Sequence, residues 1–509
     1  MATELCNTPV ACLLVYSCLL LVSLLGCLFL VAVMYIHYQH RRFAHIPSPK
    51  MDGFFVGHAV RFQEYKKRDQ PIVEVLLDMA NECGPVFVMF IFWLHSVTVL
   101  HPDGVKELLS FDSPHRKPSR TYSAFKEVFG ARFLGGGLIS QRDPIKHGKR
   151  RAMFTPMFKQ KYLVTLVDQF NASADLLIEK LSHKADGKTE VAMLDELDRT
   201  TLDVIGKVAF GMDLNSTLDE NAPFNKAVGR SLDGVSENLY SPLEKYNMLP
   251  AARKSHQEIR DAINFLRETG RRCIEGKLQK LRNNEELHDD IFTHILRETY
   301  QNGAEEIEME DLVDEFVTLF FAGQETTANL LSFCLLELGN HPEVMHRVRT
   351  EVDAIMGDND QLKSSDVSKL GYMMQVLKET LRLWSPVSGT LRELAHDIEV
   401  KGYKIPKGAV VGVTSHMAKM EEYFPDPMKF DPDRFMAGAN IMEYTYFPFS
   451  SGTRSCIGKQ FALIEARVLL ARLLHKFTFD LVPGQGYGIL DQVTLKPRGR
   501  CRNYLSLVE

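Results

Sequence analysis

The stretch Phe449-Ser450-Ser451-Gly452-Thr453-Arg454-Ser455-Cys456-Ile457-Gly458 decides how this chain reads, because it sets one cysteine at the end of a glycine-interrupted loop just before a helical pattern. From Gly458 to Phe477, apolar residues recur at three- and four-residue spacings (Ala462, Leu469, Leu470, Leu473, Leu474, Phe477) and predict a helix with one buried face. The first turn of such a helix carries unpaired N–H groups and the positive end of the dipole. A sulfur held there is expected to shift toward thiolate, which is a nucleophile or a metal ligand. The ten residues before Cys456 contain no cysteine or histidine, and the next histidine is His475. That speaks against zinc, which needs several N or S ligands at short spacing.

One axial thiolate on a haem iron needs a single cysteine; a buried structural cysteine is the alternative. The loop resembles the haem-binding loop of cytochromes P450, whose pattern Phe-x-x-Gly-x-Arg-x-Cys-x-Gly is matched at every fixed position. The resemblance implies Cys456 as the axial ligand of haem b, Phe449 packed on the ring, Gly452 and Gly458 for close backbone approach, and Arg454 on a propionate.

A chain of 509 residues with no Ser/Gly/Pro-rich linker after residue 60 suggests one large catalytic unit. Its net charge of -5 and lack of a long basic tract make nucleic acid an unsuitable partner. Nine cysteines, an odd set without CxxC pairs, do not form a disulfide framework, so a reducing compartment is implied.

From Val10 to Ile36 run 27 uncharged residues, enough to span a membrane as a tilted helix. Arg41 and Arg42 follow, whereas the other flank carries Glu4, so the positive-inside rule leaves the bulk of the chain in the cytoplasm. A cleaved signal peptide is the alternative; its positive charges would lie on the other side. Residues 1-42 are read as a membrane anchor, 43-58 as a stiff hinge around Pro47 and Pro49, and 59-509 as the catalytic domain. β-rich runs at Val86–Phe92 and Ser96–Leu100 precede mostly helical sequence. The expected fold is therefore mainly α with a smaller β-rich subdomain, the cytochrome P450 fold with one N-terminal transmembrane helix.

From Leu312 to Leu338 the pattern is apolar on nearly every side and predicts a central helix, interrupted at Ala322-Gly323-Gln324-Glu325-Thr326-Thr327, where back-bonding threonines open the ladder at the Ala322 carbonyl. This segment resembles the oxygen-activating motif of cytochromes P450, which implies Thr326 and Glu325 as the proton-delivering catalytic pair. Glu379 and Arg382, three apart on one helix face, together with Arg434 resemble the family's structural Glu-Arg-Arg cluster. Arg392 and Arg150 stand where the family places further propionate partners; Lys146 aligns with a tryptophan usual there. Ala322, Phe129, Phe133 and Val387 are the expected substrate pocket.

The resemblance implies a monooxygenase using O₂. No GxGxxG unit is present, so electrons are expected from NADPH through a separate flavoprotein, the NADPH-cytochrome P450 reductase of the endoplasmic reticulum. Within the family, Tyr446-Phe447-Pro448-Phe449-Ser450, Leu481-Val482-Pro483-Gly484-Gln485 and Thr494-Leu495-Lys496-Pro497 resemble the cholesterol 24-hydroxylase branch and imply a sterol substrate. The alternatives are a fatty acid, steroid or xenobiotic substrate, a haem-thiolate isomerase or dehydratase, and a non-catalytic membrane sterol-binding protein.

Overall fold

The computed structural model describes residues 9–68, 70–240, 244–247, 249–301 and 308–508. Helices dominate, and their apolar faces converge on one large core. A second core forms under a four-stranded mixed sheet. Its strands are β1 (Val86–Ile91), β2 (Leu94–Val99), β3 (Gly389–Glu393) and β4 (Val410–Thr414), in the spatial order β1-β2-β4-β3. Pairs β1/β2 and β4/β3 are antiparallel and β2/β4 is parallel. The split into a helical body and a β-rich part follows the sequence expectation, and the two expected strand runs are β1 and β2.

The anchor helix spans Pro9–Arg42, and among the described residues it alone is long and apolar enough to cross a membrane. The acidic flank at Glu4 lies outside the described residues. The helix continues past Ile36, and its last turns dock on the sheet. Ile36, Gln39 and Phe43 are buried, the Phe43 ring lies 4.4 Å from His95, and Arg42 Nη2 donates to the Lys407 carbonyl at 2.6 Å. The expected hinge is not a free joint. Pro47 accepts the Val88 amide at 2.8 Å, so the extended segment lies along the edge of β1, where a proline nitrogen with no hydrogen costs nothing.

The central element is two helices in line, Met309–Gly323 and Glu325–Asn340, broken at Gln324 (φ -84°, ψ -71°). The break falls where the threonines predict it: Thr326 Oγ1 donates to the Ala322 carbonyl at 2.9 Å and competes with the ladder. Helix Met193–Phe210 braces it, with Thr201 Oγ1 donating to the Gln324 carbonyl at 3.0 Å. Gly323 sits so close to Ile205 that a Cβ would overlap it.

The Glu-Arg-Arg group assembles as expected. In helix Gly371–Leu383, Arg382 grips Glu379 with two bonds of 2.7 and 2.8 Å, and both side chains are fully buried. Arg434 Nε lies 3.4 Å from Glu379, and the Asp431 amide donates to it at 2.9 Å. Arg382 also donates to the carbonyls of Ala418, Pro427 and Lys429, so one guanidinium ties the helix to the chain leading into the cysteine loop. Removing one member leaves a buried, uncompensated charge. Glu379→Ala is expected to destabilise the protein by about 3–5 kcal/mol, read as a lowered denaturant midpoint.

Candidate active site

Phe449 and Cys456 close the loop, the Cys456 amide donating to the Phe449 carbonyl at 2.9 Å, and Ser455 donates to Gly452 at 3.1 Å. Gly452 has φ +68°, and a Cβ there would overlap the Leu109 carbonyl oxygen. Its smallness therefore serves packing on the end of helix Pro102–Leu109. Gly458 keeps the space beside the sulfur open; a Cβ would lie 3.8 Å from Cys456 Sγ. The helix begins at Lys459, as predicted, and runs to Lys476.

The expected thiolate does not follow from the helix start alone. Burial pushes the Cys456 thiol above its usual range, and the Gly458 amide, Arg151, Lys459 and the Lys459 amide oppose it without prevailing. A metal cation would reverse that balance. Cys456 nonetheless keeps accessible surface while protein encloses it, so the sulfur faces an interior space. The central element shows the same sign. From Leu312 to Leu338 every residue is buried except Phe321, Ala322, Gly323 and Thr326, and Ala322 and Thr326 are one helical turn apart on one face.

Three cations gather inside the protein. Lys117 Nζ donates to the Ile139 carbonyl at 2.7 Å, Arg392 (3% exposed) to Thr390 Oγ1 at 2.8 Å, and Arg454 to the Arg142 carbonyl at 3.2 Å. Among the described residues, none of the three forms an ion pair with a carboxylate. Asp143, whose charge reaches Arg454, caps helix Pro144–Phe154 with its own oxygen. Burial and then Arg392 and Arg454 hold Lys117 well below its ordinary pKa, and burial and then Arg392 bring Arg454 down to about 10. Burial with Arg454 and Lys117 takes His147 down to about 3. Such a cluster is a ready site for a dianion. One thiol and a site for two carboxylates match haem b, which takes one axial sulfur and carries two propionates; they do not match zinc.

The expected partner Arg150 is elsewhere. It pairs with Glu315 at 2.9 Å and Asp311 at 2.6 Å on the first half of the central element. Lys146 is exposed. The inward positions belong to the next residues in register: His147 is buried, and Arg151 Nη1 donates to the Ser455 carbonyl at 2.6 Å. The inward face thus lies one residue later than the sequence pattern predicts, and the spacing His147, Arg151, Phe154 with its buried aromatic marks it. Lys117 carried no such signal, since it stands more than three hundred residues before the loop it joins.

Of the pocket candidates, Phe133 lies beside Phe321, with ring centroids 5.8 Å apart, and Ala322 is the next residue after Phe321 in the chain. Val387 is 48% exposed directly after the buried Ser385 and Pro386. Phe129 turns away and stacks on His256 at 4.0 Å. Phe133, Phe224, Phe316, Phe320 and Phe321 leave a cavity of only about 10 Å³ between them. Glu325 does not reach solvent freely; Lys496 holds its Oε1 at 2.7 Å.

Comparison with known proteins agrees with this geometry. The family model described as Cytochrome P450 matches residues 47–498. The chain is 30% identical over 374 residues to Cytochrome P450 4d2 of Drosophila melanogaster, covering 69% of this chain and 73% of that one. It is 28% identical over 481 residues to Cytochrome P450 4A10 of Mus musculus, covering 91% and 90%. Among solved structures, the crystal structure of cytochrome P450DA heme domain superposes with a TM-score of 0.80 at 24% identity, over 91% of this chain and 97% of that one. Neither relative is a cholesterol 24-hydroxylase, the branch that the loop sequences resemble. With its cysteine loop, broken central helix and matched span in agreement, the chain belongs to the cytochrome P450 family.

Proposed function

We propose that this protein is a membrane-anchored monooxygenase that holds haem b through Cys456 and hydroxylates a lipophilic substrate. The observation that carries the reading is accessible surface at Cys456, which protein encloses, and at Ala322 and Thr326 on an otherwise buried helix pair, together with a buried cluster of cations that, among the described residues, no carboxylate pairs. When bound, haem b supplies reductive cleavage of dioxygen, with one oxygen inserted into a C–H bond and the other leaving as water. The chain does the rest. Cys456 would hold the iron through its sulfur, and Arg392, Arg454 and Lys117 would neutralise the propionates. Thr326 would hold the proton nearest the reacting oxygen, and Glu325, partnered by Lys496, would pass protons on to it. Phe133, Phe321, Ala322 and Val387 are assigned as the apolar wall that meets a substrate without charge in its buried part.

Electrons are assigned to NADPH through a separate flavoprotein reductase, with Lys459 and the neighbouring basic residues as a docking face. The anchor helix followed by Arg41 and Arg42 supports a single-pass placement in the endoplasmic reticulum with the catalytic domain cytoplasmic. A sterol is the narrower form of the substrate reading and rests on the loop resemblances. A long-chain fatty acid fits the same apolar wall, and the sequence relatives do not favour the sterol branch.

Three outcomes test this. Cys456→Ser is expected to abolish the haem-thiolate band of the reduced carbon monoxide complex; a retained band shows a different ligand. Arg392→Met removes a buried unpaired cation, so it is expected to stabilise the haem-free protein by about 1–4 kcal/mol while speeding haem loss to a scavenging globin about 10- to 100-fold. A spectral titration of the full chain with sterols and fatty acids, followed by product identification, decides the substrate class: a binding shift and product from only one class rejects the other.

A further inference from the structure

Glu325 opens onto a cavity of about 270 Å³ that the oxygen-facing side of the central helix does not share. Its walls come from helix Met193–Phe210, helix Pro223–Tyr240 and hairpin strand Thr494–Pro497. Most of its ionisable groups are already engaged. Arg500 pairs with Asp195, Arg199 with Glu196 and Glu220, and Lys496 with Glu325. Asp233 lies at the rim, 4.0 Å from Arg230.

Asp198 differs from all of these. Its Oδ1 accepts from Gln324 Nε2 at 3.2 Å, at the residue where the central helix breaks, and among the described residues no cation pairs with it. The carboxyl is enclosed by protein but has accessible surface on the cavity. Glu325 Oε2, on the same cavity, is buried without a hydrogen-bond partner.

We propose that Asp198 is a second acid in the delivery of protons, taking them from water in this cavity and passing them to Glu325, which Lys496 holds in place to receive them. The inference rests on the reading of Glu325 and Thr326 as the proton-delivering pair. In the step, the Asp198 O–H bond breaks and a proton passes to the Glu325 carboxylate, directly or through one cavity water; Asp198 then takes a proton back from bulk-connected water. Charge and atoms balance with no other reactant. Burial, and after it the charge of Glu325, raises the Asp198 carboxyl to about 8, so at neutral pH it carries the proton that the step requires. Asp195, on the same helix, pushes it in the same direction, while Lys496 and Arg199 oppose it; Glu220, Asp233 and Arg500 are the other charged groups on the cavity.

The test uses the full-length haem-loaded protein with its reductase and compares wild type, Asp198→Asn, Asp198→Glu and Glu325→Gln. Asp198→Asn is expected to raise the share of NADPH consumed that ends as peroxide about two-fold or more, and to increase the solvent deuterium isotope effect, with the carbon monoxide band and substrate affinity unchanged. Wild type should lose coupling as pH rises through about 8 and Asp198→Asn should lack that inflection. Asp198→Glu should restore much of the coupling. Independently of turnover, the infrared difference between wild type and Asp198→Asn at neutral pH should show a protonated carboxyl that disappears on raising the pH. If Glu325→Gln uncouples and Asp198→Asn does not, Asp198 has no such role and the pair reading stands. If neither uncouples, both fall.

Discussion

Lys117, Arg392 and Arg454 lie within reach of one another's charge, inside a folded chain, with no carboxylate among the described residues to neutralise them. An ionised group taken from water without a partner costs several kcal/mol, and like charges add to it. The three come from different parts of the fold: Lys117 from the segment after the first sheet strands, Arg392 from β3, Arg454 from the cysteine loop. Their partners are backbone carbonyls, a hydroxyl and, for Lys117, the Tyr122 ring at 4.5 Å, none of which neutralises a full charge. A dianion bound among them would therefore tie the sheet, the loop and the helical body at once, so that cofactor retention and folding of this region are coupled.

The second constraint is the central helix. An unbroken helix with its residues buried on every side could offer the interior nothing to react with. Gly323 and Thr326 interrupt it, and helix Met193–Phe210 holds Gln324 at the break: Thr201 donates to its backbone carbonyl, which also accepts the Ala328 amide, and Asp198 accepts from its side-chain amide. From one break come two surfaces. Thr326 and Ala322 turn toward an interior face, and Glu325, one position earlier than Thr326, turns toward the polar cavity and Lys496. A chain can thus keep one side of a buried helix dry and the other wet.

Much of this was written locally and so was legible before any coordinates. The cysteine loop, the break at Ala322 to Thr327 and the Glu379–Arg382 pair are each set by neighbours within ten residues. What failed depended on distant parts of the chain. The sequence places Arg150 and Lys146 on the inward face of helix Pro144–Phe154, yet Glu315 and Asp311, which claim Arg150, lie more than 150 residues away. The Cys456 thiol was judged from its helix start, and the burial that outweighs that start is a property of the whole core. Phe129 has a ring partner, His256, that no local pattern announces.

The segment after the anchor shows the same division in a different form. Pro47 and Pro49 do make the chain stiff and extended, as their fixed φ requires. An extended segment beside the outer strand of a sheet is also the natural cover for that strand's unpaired groups. Pro47 takes the Val88 amide, the His58 amide donates to the Phe90 carbonyl at 2.7 Å, and Phe43 and Ile46 fill the core beneath. Swinging the catalytic domain about this segment would bare the edge of β1 and pull two large apolar side chains into water, at about 1.5–3 kcal/mol for each side chain. The buried Phe43 and Ile46 and the hydrogen bonds along β1, more than the prolines, accordingly fix the N-terminal helix to the sheet.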